Sequence, residues 1–174
     1  MMAQYMEVKN QYKDCILFYR LGDFYEMFFD DALTASRELE ITLTGRDCGQ
    51  EERAPMCGVP YHACDIYLNK LIEKGYKVAI CEQMEDPKLA KGIVKREVIR
   101  IVTPGTNMSQ AILDETRNNY LMCIFGCNDE YGVAVCDITT GEFRSCHISS
   151  TSKLYDEINK YSPTEIIGNE VFLS

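Results

Sequence analysis

The sequence of 174 residues predicts an α/β protein built from two units. Amphipathic helical patterns alternate with short apolar runs over residues 1–106, which is typical of a domain with a mixed sheet. From residue 119 onward, three strand-like runs follow one another through short turns. The polar residues 107–118 separate the two patterns and come shortly after a Pro-Gly break at Pro104, so we predict a linker there.

The first unit is predicted to begin with a helix and a buried strand. Residues 2–13 are polar with a weak apolar face, and residues 15–21 (CILFYRL) form a continuous apolar run. A turn at Gly22 and Asp23 follows. Apolar residues then recur at the spacing of a helix that faces a core, so we predict a helix over residues 24–40. The recurring residues are Phe24, Phe28, Ala32, Ala35 and Leu39.

The rest of the first unit is predicted to contain strands around one further helix. Pro60 precedes an amphipathic stretch, and Gly75 follows it in the position that favours a left-handed helix end. Apolar runs rich in β-branched residues predict the strands. In chain order the predicted elements are a strand at 41–46, a polar loop at 47–53, the helix at 61–74, and strands at 76–83 and 94–102.

The second unit is predicted to start with a three-stranded meander. The runs YLMCIFGC, YGVAVCDIT and EFRSCHI are separated by short turns rich in Asn, Asp, Thr and Gly. A helix is predicted over residues 149–161, and a further strand begins at residues 164–168 (TEIIG). Because such a series opens a larger α/β domain, we expect the sequence to be part of a longer protein.

Charge at first argues against a nucleic-acid partner. The 18 Lys and Arg residues are outnumbered by 27 Asp and Glu, a formal net charge of −9, whereas phosphate binding normally needs a basic surface. The acidity is uneven, because residues 1–108 carry 14 basic and 17 acidic residues and residues 109–174 carry 4 and 10. The run at residues 88–100 holds five basic residues and one acidic residue. A solvated surface and a nucleic-acid contact explain this run equally well.

Targeting and metal-binding signals are missing. No apolar run is long enough for a transmembrane helix and the N-terminus lacks the apolar core of a signal peptide, so we expect a cytoplasmic protein. The nine cysteines include no C-x-x-C pair, and reduced thiols acting as small apolar residues explain them better than disulfides or zinc. The spacing of Cys57, His62 and Cys64 fits no zinc module, so we expect no metal site.

Catalytic signatures are also scarce. The sequence holds no phosphate-binding loop, no dinucleotide-binding glycine motif and no nucleophile elbow. Asp137 has the most enzyme-like setting, because a carboxylate on the first meander of an RNase H-like sheet can hold a metal ion. Such a site needs further carboxylates, which the sequence does not locate. The simpler interpretation is that Asp137 serves the turn before Gly141.

The segment LFYRLGDFYE allows two interpretations. Asp23 and Glu26 stand three residues apart, so a helix start similar to a capping box explains both, with Phe24 in the core. Alternatively, an aromatic residue that follows a strand and a Gly-Asp turn projects from the edge of the domain. An exposed aromatic wedge beside a hydrogen-bonding side chain is one way to interrogate a base step in DNA.

Five segments together resemble the MutS family of DNA mismatch-repair proteins. They occur in the expected order and spacing over nearly the whole chain, and they are GDFYE (22–26), PMCGVPYHA (55–63), AICEQ (79–83), VKREVIRIVTPGT (94–106) and DITTGEF (137–143). The first is similar to the G-x-F-Y-E motif of the family. The resemblance implies a mixed-sheet α/β mismatch-recognition domain at 1–106, a linker at 107–118 and a truncated RNase H-like connector domain at 119–174.

The resemblance also implies roles for individual residues. Phe24 would enter the minor groove and stack on a mispaired or unpaired base, and Glu26 would hydrogen-bond that base. Arg46 and Arg96 match positions near the DNA backbone, and Leu21 would line the groove just before the motif. The resemblance implies no catalytic or metal-binding residue in this part of the chain.

The implied partners belong largely to a longer protein. They are double-stranded DNA with mismatches or small insertion/deletion loops, a second copy of the protein, and a MutL-type partner, with no membrane. ATP and Mg are implied for a C-terminal ATPase domain outside these residues, and no cofactor within them. Two rival functions stay open from the residues alone: an RNase H-like nuclease that uses Asp137, and a protein-interaction module in which GDFYE only caps a helix.

Overall fold

The chain folds as two separate compact units. The computed structural model describes residues 1–49, 52–86, 90, 92–107 and 118–173. The units are Met1–Thr103 and Pro104–Ser174. Most of the predicted linker at 107–118 lies outside the described residues, and so do Lys88 and Lys91 of the basic run.

Within its described residues, the first unit contains three α-helices and six strands. In chain order they are α1 (Met2–Gln11), β1 (Ile16–Leu21), β2 (Phe24–Phe28), α2 (Phe29–Leu39), β3 (Thr44–Arg46), β4 (Ala54–Pro60), α3 (Cys64–Glu73), β5 (Val78–Gln83) and β6 (Arg96–Val102). A 3₁₀ turn at Tyr61–Ala63 leads into α3, so the helix predicted at 61–74 is confirmed with a tighter first turn.

These strands form one mixed sheet in the order β3-β4-β2-β1-β5-β6. β1 and β5 run parallel, and the other neighbouring strands run antiparallel. Because β1 and β2 lie side by side near the middle, their connecting turn projects from one end of the sheet. The arrangement confirms the predicted mixed-sheet α/β fold of the first unit.

The helix predicted over residues 24–40 is wrong in its first part. Residues 24–28 form β2, and α2 begins only at Phe29. The aromatic-rich sequence FYEMF favours a strand, and it is paired on both sides, with β1 and with β4. Asp23 therefore lies in a hairpin turn and does not cap a helix. The strand β4, which completes this arrangement, was not predicted.

Helices cover both faces of the sheet. α2 and α3 pack on one face, and α1 packs on the other. The apolar face of α1 is weak, and polar contacts reinforce it around the buried carboxylate of Asp31. This carboxylate accepts a hydrogen bond from the Leu17 amide at 3.0 Å and pairs with Lys9 Nζ at 2.9 Å. Both contacts fasten α1 and α2 to β1, because a buried carboxylate needs compensating donors.

The second unit has a smaller mixed sheet. Its described elements are β7 (Tyr120–Cys127), β8 (Glu130–Asp137), β9 (Glu142–Ile148), α4 (Thr151–Tyr161), β10 (Glu165–Gly168) and α5 (Glu170–Leu173), after a 3₁₀ turn at Pro104–Thr106. The strand order is β10-β7-β8-β9, with β10 parallel to β7 and an antiparallel meander from β7 to β9.

Local sequence explains these elements. Asn128 and Asp129 both take positive φ, at 50° and 62°, as the two-residue turn of a tight β-hairpin requires. Ser150 caps α4 by accepting a hydrogen bond from the Lys153 amide. Leu154 of α4 packs on the apolar side chains of one sheet face. The predicted α/β character of the second unit is thus confirmed.

Candidate nucleic-acid interface

The β1–β2 hairpin presents an aromatic side chain at one end of the sheet. In its two-residue turn Gly22 takes a φ of 57°, which glycine adopts without steric cost. Phe24 follows the turn and pairs with Leu21 on β1 and with Pro60 on β4. Phe24 is nevertheless 46% exposed, so its ring is available to a partner.

Strand alternation places Glu26 on the same face as Phe24. Tyr25 and Met27 belong to the core under α2 and α3, so the residues between and before them point to the other side. The structure therefore brings together the two residues that the sequence singled out, on one face of β2 and beside an exposed turn.

Arg46 lies against Glu26. Its Nη1 donates to Glu26 Oε2 at 2.5 Å, and its guanidinium lies 5.9 Å from the centre of the Phe28 ring. Arg46 ends the edge strand β3, and its side chain stays 38% exposed. The ion pair orients the Glu26 carboxylate and leaves a positive charge at the rim of the surface that carries Phe24.

Two opposite influences act on the pKa of Glu26. Partial burial raises it, while the charge of Arg46 and its hydrogen bond lower it, and the net result is a pKa above the usual value of 4.5. Glu26 is therefore easier to protonate than an exposed glutamate. It can serve as an acceptor when charged and as a donor when neutral.

The other basic candidate, Arg96, is buried. Its Nε donates to the Arg20 carbonyl at 2.7 Å, and its Nη1 donates to the Val94 carbonyl and to Gln4 Oε1. These contacts join β6 to β1 and α1, and this placement favours a structural role for Arg96. Leu21 is only partly buried and lies opposite Phe24 on the hairpin.

The basic run offers little free charge within the part of the chain that the structure describes. Lys95 Nζ pairs with Glu97 at 2.6 Å, and Arg96 is internal. Arg100 lies on the exposed side of the edge strand β6.

A cluster of four side chains next to the hairpin was not predicted from the sequence. Arg20, Tyr25, Tyr61 and Glu82 come from three strands and from the turn before α3, and they meet on the side of the sheet opposite Glu26. The GDFYE and PMCGVPYHA segments each contain one of the aromatic members. Only the pairing of β2 with β4 brings the segments together, and β4 was not predicted.

The carboxylate of Asp137 serves a turn. Its Oδ1 accepts from the Thr139 amide at 2.9 Å and from the Thr139 hydroxyl at 2.6 Å, and its Oδ2 accepts from the Asn119 amide at 3.1 Å. Burial raises its pKa, but these hydrogen bonds outweigh burial and hold the pKa below the usual 3.8. Among the described residues, no group of three or more His, Cys, Asp or Glu side chains is arranged to hold a metal ion.

The burial of the cysteines varies: Cys15, Cys57 and Cys81 are buried as expected of small apolar residues, whereas Cys123, Cys127 and Cys146 are exposed. All nine are free thiols. Cys57, from the tightest predicted cluster, is buried and its Sγ lies 3.5 Å from the Ala32 carbonyl. Burial raises the pKa of this thiol to about 12. Within the described ranges, no helix is long and apolar enough to cross a membrane.

Comparison with known proteins places both units in one family. The family model described as MutS domain I matches residues 1–111, and that of MutS domain II matches residues 119–174. Together they cover almost the whole chain.

Whole-chain relatives agree with these matches. The chain is 69% identical over 172 residues to the DNA mismatch repair protein MutS of Lachnoclostridium phytofermentans, covering 99% of this chain and 18% of that protein. It is 68% identical over 175 residues to the MutS of Acetivibrio thermocellus, with coverage of 99% and 20%. The chain spans about a fifth of the length of the curated relatives it matches. The chain belongs to the MutS family, and its residues 1–111 and 119–174 match domains I and II of that family.

Proposed function

We propose that this chain reads mismatched DNA, with Phe24 as a wedge and Glu26 as the side chain that hydrogen-bonds the displaced base. One observation carries the proposal: an exposed phenylalanine and a partly buried glutamate lie on the same face of β2 beside the β1–β2 turn. The relatives, which are DNA mismatch repair proteins, support the same substrate.

The wedge selects mismatches through the cost of unstacking. Inserting an aromatic ring between base pairs costs about a few kcal/mol per step. A mispaired or unpaired base is already poorly stacked, so the cost is smaller there. Every base offers a π-face to the ring, which makes the contact tolerant of sequence. Phe24 therefore senses deformability and not the identity of a base.

Glu26 adds a contact that a well-stacked base pair does not offer. As a carboxylate it accepts from a base N–H, and as a neutral acid it donates to a ring nitrogen. Arg46 offsets the negative charge that Glu26 brings close to the phosphates, and its exposed part reaches toward the backbone. Leu21 lines the groove next to the wedge, and Arg96 supports the hairpin from within the domain.

The remaining functions belong to a longer protein. We propose that the chain works as the mismatch-recognition domain and part of the connector of a cytoplasmic protein that dimerises around DNA and contacts a MutL-type partner. ATP and Mg would bind a domain outside these residues. Catalysis by Asp137 receives no support, since Thr139 of the following turn donates to its Oδ1 and the Asn119 amide donates to its Oδ2.

The proposal is tested with the full-length protein on two duplexes that differ only by one G·T mispair. Phe24→Ala removes the stacking ring, which is worth about 1–3 kcal/mol, so we expect the ratio of mismatch to matched affinity to fall about tenfold or more. Equilibrium fluorescence anisotropy measures both affinities at one salt concentration.

A matched control separates the wedge from general surface effects. Leu33→Ala alters another apolar residue of the first unit, on α2, that is also 46% exposed. The ratio should stay at its wild-type value in this variant. A mismatch preference that persists in Phe24→Ala would show that the wedge is assigned wrongly.

A further inference from the structure

The two carbonyl groups of the β1–β2 turn are both held by hydrogen bonds. Arg20 Nε donates to the Gly22 carbonyl at 2.5 Å, and the Tyr61 amide donates to the Asp23 carbonyl at 3.0 Å. A two-residue turn at the end of a hairpin is normally bound only by its flanking strands. Here a side chain of β1 and the backbone after β4 add two further restraints.

The two restraints are joined to each other. The Arg20 guanidinium lies over the Tyr61 ring, with its central carbon 3.6 Å from the ring centre. Stacking of a planar guanidinium on an aromatic face is favourable and fixes the orientation of both groups. The contacts thus form a closed network that connects Arg20, the turn and Tyr61.

This network of contacts is anchored to the middle of the sheet. Arg20 Nη1 pairs with Glu82 Oε1 on β5 at 3.3 Å, and the Tyr25 hydroxyl donates to the same oxygen. The side chains of Arg20 and Glu82 are only 16% and 25% exposed, so solvent weakens their ion pair less than it would at an open surface. Tyr25 belongs to the apolar core, which makes the anchor rigid.

We propose that Arg20, Tyr25, Tyr61 and Glu82 form a clamp that fixes the β1–β2 turn, and that Arg20 is the positioning residue through which the clamp sets mismatch discrimination. This inference rests on the proposed function, because it concerns how the Phe24 wedge is held.

Rigidity matters because the wedge has to deform DNA. A ring on a mobile turn would move aside when it meets a well-stacked step, and matched and mismatched duplexes would then bind alike. A ring on a fixed turn forces the base step to open or the complex to dissociate. Preorganised contacts also avoid the entropy cost of ordering the turn on binding.

The clamp lies on the face of the sheet opposite Glu26, so its members can be altered without touching the proposed base contacts. Tyr61→Ala removes the stacked ring from a residue that is 42% exposed, and Arg20→Met removes the hydrogen bonds while keeping much of the aliphatic stem. Tyr61→Phe keeps the ring. Arg37→Met is the matched control, since Arg37 pairs with Glu38 at 3.0 Å on the surface of α2.

Two measurements on the full-length protein test the clamp. Hydrogen exchange in the free protein should become about tenfold faster in the turn peptide for Tyr61→Ala and Arg20→Met. The ratio of G·T to matched-duplex affinity should fall at least fivefold in the same variants. Tyr61→Phe and Arg37→Met should stay within twofold of wild type in both measurements.

The outcomes separate the clamp from its rivals. An unchanged ratio or unchanged exchange in Tyr61→Ala overturns the clamp, even if Arg20→Met fails to fold. An equal loss of affinity for both duplexes, with a smaller salt dependence in Arg20→Met, identifies Arg20 as a phosphate contact instead. If Phe24→Ala keeps the mismatch preference, the proposed function itself fails, whatever the clamp variants do.

Discussion

At the scale of single residues, the position of Glu26 on β2 determines the pKa of its carboxyl group. Its partial burial favours the neutral acid, and the Arg46 guanidinium at 2.5 Å favours the carboxylate. Because the two influences oppose each other, a change in the position of Arg46 shifts the pKa of Glu26. A phosphate group that attracts Arg46 would raise this pKa, since it would weaken the pairing that lowers it.

Removing Arg46 should raise the pKa of Glu26 further. Arg46→Met takes away both the nearby charge and the hydrogen bond, and leaves burial unopposed. The ¹³C chemical shift of the Glu26 carboxyl, followed against pH, measures the change. Arg37→Met should leave the titration unchanged. A Glu26 pKa that stays constant or falls in Arg46→Met would contradict the ion pair.

Asp137 provides a test in the second unit. Its pKa lies below 3.8 in the folded chain, so its contribution to stability is present above that pH and is lost as the pH falls through the folded pKa. Asp137→Asn should lower the free energy of unfolding by about 1–3 kcal/mol at pH 7, because the donors on Thr139 and Asn119 lose a charged acceptor.

Urea unfolding at a series of pH values measures this effect. The difference between wild type and Asp137→Asn should shrink as the pH falls below 3.8. A difference that is equal at pH 7 and at the acidic end would show that Asp137 does not act through its charge.

The sequence singled out the proposed recognition residues, Phe24 and Glu26, but not the side chains that support the hairpin that carries them. Phe24 and Glu26 stand in a short motif, and their spacing of two already fits one face of a strand. The clamp around Arg20 and Tyr61 forms only because β4 lies next to β2 in the sheet. This neighbourhood brings together Arg20 and Tyr61, which are about 40 positions apart in the sequence. Arg96 was predicted near DNA because its residue type and position matched, whereas its burial follows from packing that no local pattern records.

At the scale of elements, local pattern predicted most of the fold. The apolar run of β1 and the meander of the second unit are continuous signals, and both formed as predicted. Strand β2 was predicted as helix because Phe24 and Phe28 are four residues apart, a spacing that also fits a helix. Its strand conformation comes from pairing on both sides, with β1 and with the unpredicted β4.

The hairpin depends on the left-handed backbone of Gly22. Gly22→Ala should destabilise the first unit by about 1–2 kcal/mol, because an L side chain at φ 57° is strained although nothing lies near its Cβ position. Gly22→Asn should cost less, since asparagine tolerates this region. Thermal unfolding, monitored by circular dichroism, ranks the variants by stability.

Gly92→Ala is the control for this series. Gly92 also has open space at its Cβ position, but its φ lies outside the left-handed region. A loss of stability in Gly92→Ala equal to that in Gly22→Ala would remove the backbone explanation.

At the scale of the whole molecule, net charge alone does not decide whether the proposed DNA partner fits. The chain carries −9, but residues 109–174 contribute 10 acidic and only 4 basic residues to this total. The proposed reading surface uses one aromatic ring and one ion pair, and neither depends on a large positive field. Affinity for phosphates would come from other parts of a longer protein.

The 174-residue chain alone should therefore bind duplex DNA weakly. Within the described part of its basic run, Arg96 is buried and Lys95 is paired with Glu97, so this part of the run offers few free cations to phosphates. We expect a dissociation constant of about 10⁻⁶ M or weaker near physiological salt, in the range of non-specific binding. Submicromolar binding by the isolated chain would contradict this view of the charge distribution.

The most direct test of the central claim is where Phe24 lies on bound DNA. A photoreactive p-azidophenylalanine in place of Phe24, in the full-length protein, crosslinks to whichever nucleotide touches the ring. The wedge predicts crosslinks confined to the mispaired base and its immediate neighbours on a G·T duplex, and few crosslinks on the matched duplex. Crosslinks spread evenly along both duplexes, or none at the mispair, would contradict the proposal that Phe24 enters the DNA at the mismatch.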